Sequence, residues 1–243
     1  MLPRWLKVLT GLFSLVIVGA VAFAYFEPVQ VLPRIRLAPG FALTDQNGEI
    51  YTSESARGVI TLYTFAPAVA DCESCQRIDT TISGVIDRAT SSEDLEGFDL
   101  RFVTVALDSD DPAALARAAA RSGADGDRWR WVGGDPTRIR NVVGAGFERY
   151  YEVLDGQGPT TASAASASGA SRADGRTPQV KFDPAFVLVD GNGVIRGEYG
   201  YQTLADDADK IASHLEVLVD EIRYAKGAAA VAYEAAHLFL CYP

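Results

Sequence analysis

The run Val59–Phe65 is apolar and β-branched, stops at a short loop, and is followed by Cys72-Glu-Ser-Cys75. Directly after these thiols, Ile78, Ile82, Val85, Ile86 and Ala89 recur at helical spacing. This succession constrains the fold more than any other feature of the chain. A short continuous apolar run is the pattern of a strand buried on both faces, and a helix that leaves it must cover one of those faces. The two thiols then lie at the C-terminal end of a central strand and at a helix N-terminus. The helix dipole there favours the thiolate, whereas Asp71 and Glu73 disfavour it. The balance predicts a less acidic, less oxidising thiol than a dedicated disulfide donor carries.

The rest of the chain extends this βα unit. Phe41–Tyr51 reads as two short strands around an Asn-Gly turn. Leu100–Leu107 is a strand, and Ala113–Arg121 is a helix with Asp111 as N-cap and Pro112 at its first position. Trp129–Val132 is a short strand, and Asp135-Pro136 opens a helix running through Val143. Residues 156–178 are Ala-, Ser-, Thr- and Gly-rich without an apolar period, the composition of a flexible insertion. Ala185–Val189 and Val194–Tyr199 flank Asp-Gly-Asn-Gly, a strong hairpin signal, and a helix follows from about Leu204 to Arg223. This order predicts an α/β fold, a mixed sheet flanked by helices.

Two further segments bracket that domain. After Arg4 and Lys7, the uncharged run Val8–Phe26 has the length of a transmembrane helix, and the flanking positive charges place the N-terminus in the cytoplasm. Cleavage at Ala22-Phe23-Ala24 is the rival reading, disfavoured because the run is longer than the apolar core of most signal peptides. Either way the domain is exported to an oxidising compartment, where three cysteines form one disulfide and leave one thiol over. The net charge of −10 argues against a nucleic-acid partner. The expected division is 1–27 stub and membrane anchor, 28–40 tether, 41–223 globular domain, and 224–243 a C-terminal apolar helix too short to span a bilayer.

That last helix carries His237 and Cys241 four residues apart, hence on one face. Imidazole and thiolate together suit Cu(I) or Zn(II). If the tail folds back over the strand end, Cys72, Cys75, His237 and Cys241 make a sulfur-rich site of four ligands. The alternative is that the tail packs through its apolar residues and His237 rides along. His214, among Ile211, Leu215 and Leu218, reads as a packing histidine. Asp111 is accounted for by capping, and Asp108 borders the strand end without an assigned chemical role.

Taken together, Phe41–Asn47, Val103–Pro112, Phe147–Val153 and Phe186–Gly200 resemble, in order and spacing, the Sco/SenC family. Its members are membrane-anchored thioredoxin-like proteins that assist assembly of the copper site of respiratory oxidases. The resemblance runs from about Phe41 to Glu221. It implies a thioredoxin-like fold, Cu(I) as cargo, an oxidase subunit or another exported thiol protein as partner, and a bacterial inner-membrane location with the domain outside the cytoplasm. Family members separate the two cysteines by three residues and follow each with proline; here the separation is two, and Gln76 follows Cys75. The family's histidine ligand falls where this chain reads Lys181-Phe182-Asp183-Pro184, so its three-ligand site does not carry over intact. Pro184 instead resembles the cis-proline that faces the thiols of thioredoxin-like oxidoreductases.

Three readings follow. The favoured one is a copper-handling and thiol-redox assembly factor, with Cys72 and Cys75 as ligands and redox pair, and with His237 and Cys241 as optional ligands. The second is a metal-free thiol–disulfide oxidoreductase. The third is a tethered, non-catalytic binding module with a static disulfide.

Overall fold

In the computed structural model the described residues are 3–26, 30–69, 73–95, 97–154, 179–200 and 207–239. Two compact units divide the chain, one of residues 34–213 and one of residues 1–33 with 214–243. In chain order the elements are α1 (Arg4–Phe26), β1 (Arg36–Leu37), β2 (Ala42–Asp45), β3 (Ile50–Thr52) and β4 (Ile60–Ala66). Then come α2 (Glu73–Ser91), β5 (Leu100–Ala106), α3 (Pro112–Ser122), β6 (Trp129–Gly133) and α4 (Pro136–Ile139), which runs into a π-helical turn, Arg140–Gly146. The chain continues through β7 (Tyr151–Leu154), β8 (Gln179–Phe182), β9 (Ala185–Val189), β10 (Val194–Gly200), α5 (Asp207–Tyr224) and α6 (Ala228–Phe239).

Eight strands form one mixed sheet in the order β1-β10-β9-β4-β5-β6-β2-β3, and β7 and β8 form a separate pair. β4 pairs in parallel with β5, and β5 in parallel with β6. On its other side β4 pairs antiparallel with β9. All seven residues of β4 are buried, as a central strand covered on both faces requires, Thr61 and Thr64 included. One face packs Tyr63, Phe65, Val103, Val105 and Val187 against Ile139, Val143 and Phe147 of the α4–π segment. On the opposite face, the Trp129 indole donates to the Thr104 hydroxyl and the Trp131 indole to Ser122 at the end of α3, both at 2.9 Å. Buried indoles need such partners, so these two bonds fix both rings.

The two hairpins share one local design. Asp45-Gln-Asn-Gly-Glu-Ile50 joins β2 to β3, and Asp190-Gly-Asn-Gly-Val-Ile195 joins β9 to β10. In each the aspartate folds back over its own turn. Asp45 Oδ1 accepts from the Asn47 and Glu49 amides, and Asp190 Oδ1 from those of Asn192 and Val194. The second carboxylate oxygen accepts from an arginine on the sheet, Arg130 for Asp45 and Arg196 for Asp190. Helix α3 has the expected cap, Asp111 accepting from the Ala113 amide with Pro112 at the first position. Asp135 caps α4 in the same manner.

Three expectations are revised. Residues 34–38, placed in an extended tether, instead add β1 to the sheet edge: Arg36 pairs with Ile195, and the Ile35 and Ala38 amides donate to the Ile195 and Gly193 carbonyls. Flanking prolines hide so short a strand from any periodicity argument. The helix expected from Pro136 through Val143 changes to π geometry at Arg140. The Asp183–Pro184 bond, expected cis, is trans; no peptide bond among the described residues is cis. The chain passes from β8 directly into β9 there, and no tight turn offsets the intrinsic trans preference. The insertion 156–178 lies outside the described residues.

In the smaller unit, α1 is a helix of 23 residues whose Val8, Leu9, Leu12, Phe13 and Leu15 side chains are exposed. Among the described residues no helix is long and apolar enough to cross a membrane, several side chains of α1 lying outside that set.

Candidate functional site

Strand β4 delivers the chain to the C-terminal edge of the sheet, where Ala66 accepts from the Leu107 amide across the β4–β5 pair. Pro67–Val69 follow, and Cys75 lies in the first turn of α2. Cys75 is half-buried and disulfide-bonded. Its partner is one of the chain's other two cysteines, Cys72 or Cys241, both outside the described residues.

Two charged side chains from the neighbouring βα connection hold the loop before the thiols. Asp108 Oδ1 accepts from the Ala68 amide at 2.7 Å and Oδ2 from the Val69 amide at 3.3 Å. Arg121, in the last turn of α3, donates to the Ala68 carbonyl at 2.6 Å. The loop is thus gripped at both its amides and a carbonyl by ionic partners, the stronger class of hydrogen bond. Replacing Asp108 with alanine removes two charge-assisted bonds. Exchange of the Ala68 and Val69 amides should then accelerate by about tenfold or more, matching a loss of about 1.5–3 kcal/mol. Unchanged exchange at both amides would show that Asp108 does not hold the loop.

Asp79 lies one helical turn after Cys75 on α2 and is part-buried. Burial pushes its carboxyl up to about 6, the charge of Arg121 opposing the shift. Because this folded value exceeds the unfolded 3.8, the ionised carboxylate is a liability. The penalty is absent at pH below both values, grows as pH rises between them, and is full above about 6. Solvent screening of a part-exposed carboxylate holds it to about 1 kcal/mol. Asp79→Asn should therefore raise the urea midpoint at pH 7.5 and leave it unchanged near pH 3. A gain of equal size at both values would refute the assignment.

Pro184 is buried immediately before β9. Thr64 pairs with Phe186, so extending the antiparallel register by two residues sets Pro184 beside Ala66. It therefore occupies the same sheet edge as the thiol loop, with a trans bond. Thr64 also donates its hydroxyl to the Ala185 carbonyl at 3.0 Å.

His237 is in α6 of the smaller unit, where Nε2 lies 3.0 Å from Glu221 Oε1 and both side chains are over nine-tenths buried. Among the described residues no group of three or more metal-ligating side chains comes together. Cys72 and Cys241, two of the four ligands expected from the sequence, lie outside those residues.

The sequence missed Arg121 and Asp79. Asp79 had an available signal, its spacing of four from Cys75; Arg121 had none, because it reaches a carbonyl 53 positions away.

Beside the loop a cleft of about 860 Å³ opens between the ends of β5 and β6, the π turn and β7. Asp108 lines it as well as gripping the thiol loop. Glu148 there adopts φ 56°, a left-handed conformation that non-glycine residues seldom take.

The family model for SCO1/SenC matches residues 30–220, most of the chain. The chain belongs to the SCO1/SenC family. The copper-bound ScoI of Arabidopsis thaliana superposes with a TM-score of 0.57 at 15% identity, covering 74% of this chain and 98% of that one. Copper-bound yeast Sco1 gives 0.57 at 17%, covering 82% and 98%. BsSco, a member of the Sco family of cytochrome c oxidase assembly proteins, gives 0.56 at 18%, covering 78% and 97%. Among curated proteins, no sequence matches significantly. At such identities the SCO1/SenC structures share the thioredoxin-like fold with this chain; its chemistry has to be read from its own residues. As an SCO1/SenC member it carries Cys75 at the strand-to-helix junction, in the first turn of α2.

Proposed function

We propose that this chain is a membrane-anchored, exported SCO1/SenC protein that handles copper and thiol redox during assembly of a respiratory oxidase copper site. The observation that carries the reading is Cys75, disulfide-bonded at the first turn of the helix that follows the central strand. Copper is cargo. Two thiolates are soft donors that suit Cu(I), and the oxidised form of Cys75 offers none. Two-electron reduction of the disulfide would therefore precede loading. In thiol exchange, one thiolate attacks a partner disulfide, forming a mixed disulfide and expelling the partner's first thiolate. The second cysteine then attacks the mixed disulfide, releasing the reduced partner and leaving this chain oxidised.

The apolar run Val8–Phe26, helical over its length, supports an inner-membrane anchor with the domain outside the cytoplasm. The partner would be an oxidase subunit or another exported thiol protein.

The deciding experiment titrates Cu(I) into the reduced full-length chain against a competing chelator, with Cys72→Ser/Cys75→Ser as control. One-to-one binding lost in the control is the expected result. Absence of specific binding, together with reduction of a disulfide substrate, would leave the second reading, a metal-free oxidoreductase. The missing histidine at 181–184 and the Cys-x-x-Cys spacing favour that alternative. Unchanged copper affinity in His237→Ala would remove His237 from the ligand set.

A further inference from the structure

The cleft beside the thiol loop has a feature that neither copper binding nor thiol exchange accounts for. Tyr150, Tyr151, Glu152 and Val153 are consecutive, and all four line it. Successive residues of a strand point to opposite faces. A face of β7 would therefore contribute every second residue, and an unbroken run means that the cleft meets the strand along its edge. The other edge of β7 is occupied by β8, with Tyr151 opposite Phe182 and Leu154 opposite Gln179. Among the described residues no strand and no backbone hydrogen bond covers the cleft-side edge. Tyr151, Val180 and Phe182 seat one face of the pair on the core, so the edge is held in place.

Charge defines what fits there. Four carboxylates line the cleft, those of Asp108, Asp110, Glu148 and Glu152, against the guanidinium groups of Arg140 and Arg149. Arg149 bonds Glu198 at 2.6 Å and Glu148 lies 3.9 Å from Arg36; with these outer partners counted, five carboxylates stand against three guanidinium groups, so the cleft keeps a negative excess. The cleft is continuous with the thiol loop through Asp108, which belongs to both.

We infer that the cleft edge of β7 is a docking strand for an extended, basic, cysteine-bearing segment of the partner protein, which pairs with β7 through its backbone and thereby lies beside the thiol loop. Main-chain pairing supplies affinity without demanding a particular sequence, and lysine or arginine side chains meet the carboxylates. The inference rests on the proposed thiol and copper chemistry for its purpose, but the docking is separable from it.

The test uses the oxidised full-length chain in detergent and fluorescein-labelled nonapeptides of alternating valine and lysine, read by anisotropy. The expected result is binding at least about tenfold tighter than that of the valine–glutamate counterpart. N-methylation of alternate peptide bonds keeps the charge and removes backbone donors, and should weaken binding of the valine–lysine peptide at least about tenfold. Glu152→Lys should also reduce it at least about tenfold. Equal binding of the N-methylated peptide would overturn the proposal, because net attraction to an acidic chain would then suffice. So would lack of binding, or a concentration-dependent dimer dispersed by Glu152→Lys, which would assign the edge to a second copy. Reduction of a small aromatic disulfide by the reduced chain tests the thiol chemistry independently, so failure of either leaves the other standing.

Discussion

Asp190→Ala should cost about 3–5 kcal/mol of unfolding free energy, the loss typical of removing one partner from a buried ion pair. Arg196 and Asp190 are only 3% and 6% exposed, and their N–O distance is 3.1 Å. The same carboxylate accepts from the Asn192 and Val194 amides, so its removal also strips the β9–β10 turn of its internal cap. Asp45→Ala provides the internal comparison. It loses the same two turn bonds, but Arg130 is 26% exposed and water can solvate it afterwards. Its cost should be about 2 kcal/mol, two neutral-donor bonds to a carboxylate. Urea unfolding of both variants measures the difference. Equal losses, or a larger one for Asp45→Ala, would mean that burial of the arginine does not set the energetics of these hairpins. Asp190→Asn, which keeps an acceptor for the turn, should fall between wild type and Asp190→Ala.

Phe147→Ala should be of similar size, about 3–5 kcal/mol, the range for truncating a fully buried phenylalanine. Phe147 is wholly buried, with its ring centroid 5.2 Å from those of both Tyr63 and Phe65 on the central strand. Its backbone ends the π turn, the amide donating to the Val142 carbonyl at 2.8 Å. Its carbonyl accepts from Arg36, which also binds Glu198. The ring is therefore the anchor by which the segment 140–149 sits on the sheet. Its loss should lower the denaturation midpoint and loosen the cleft wall together, visible as faster exchange of the Arg149 amide, which donates to Val143. A destabilised protein with unaltered Arg149 exchange would disprove the anchoring role.

The parts of the fold that were legible in the sequence are those whose cause is local. The Asp-x-Asn-Gly turns announce both hairpins because the aspartate bonds to its own turn. Asp111-Pro112 and Asp135-Pro136 announce helix starts because capping and the fixed proline φ act within four residues. The buried strand Val59–Phe65 and the thiol-bearing helix after it were likewise legible. What escaped depends on distant partners. Two residues cannot show that they form β1, since only the Ile195 and Val194 pairings make them a strand. Gln179–Phe182 becomes β8 only by meeting Tyr151–Leu154 across the intervening insertion. The isomer of Pro184 is not written in the proline itself. At the site, Cys75 at the helix start and the position of Asp108 were readable, but the grip of Asp108 and Arg121 on Ala68 depends on tertiary placement.

The strand order carries a further consequence for how the chain is made. β4 receives one neighbour, β5, soon after synthesis, but the other, β9, starts only at Ala185, and β1 waits for β10. Until the last quarter of the chain emerges, the central strand keeps one edge of unpaired backbone groups, flanked by mostly apolar side chains. A chain arrested after β7 would thus display at its heart the kind of unpaired strand that nucleates aggregation. Closure by β9 is the step at which a growing polypeptide stops being a hazard, and a nascent chain crossing a membrane would need protection until then.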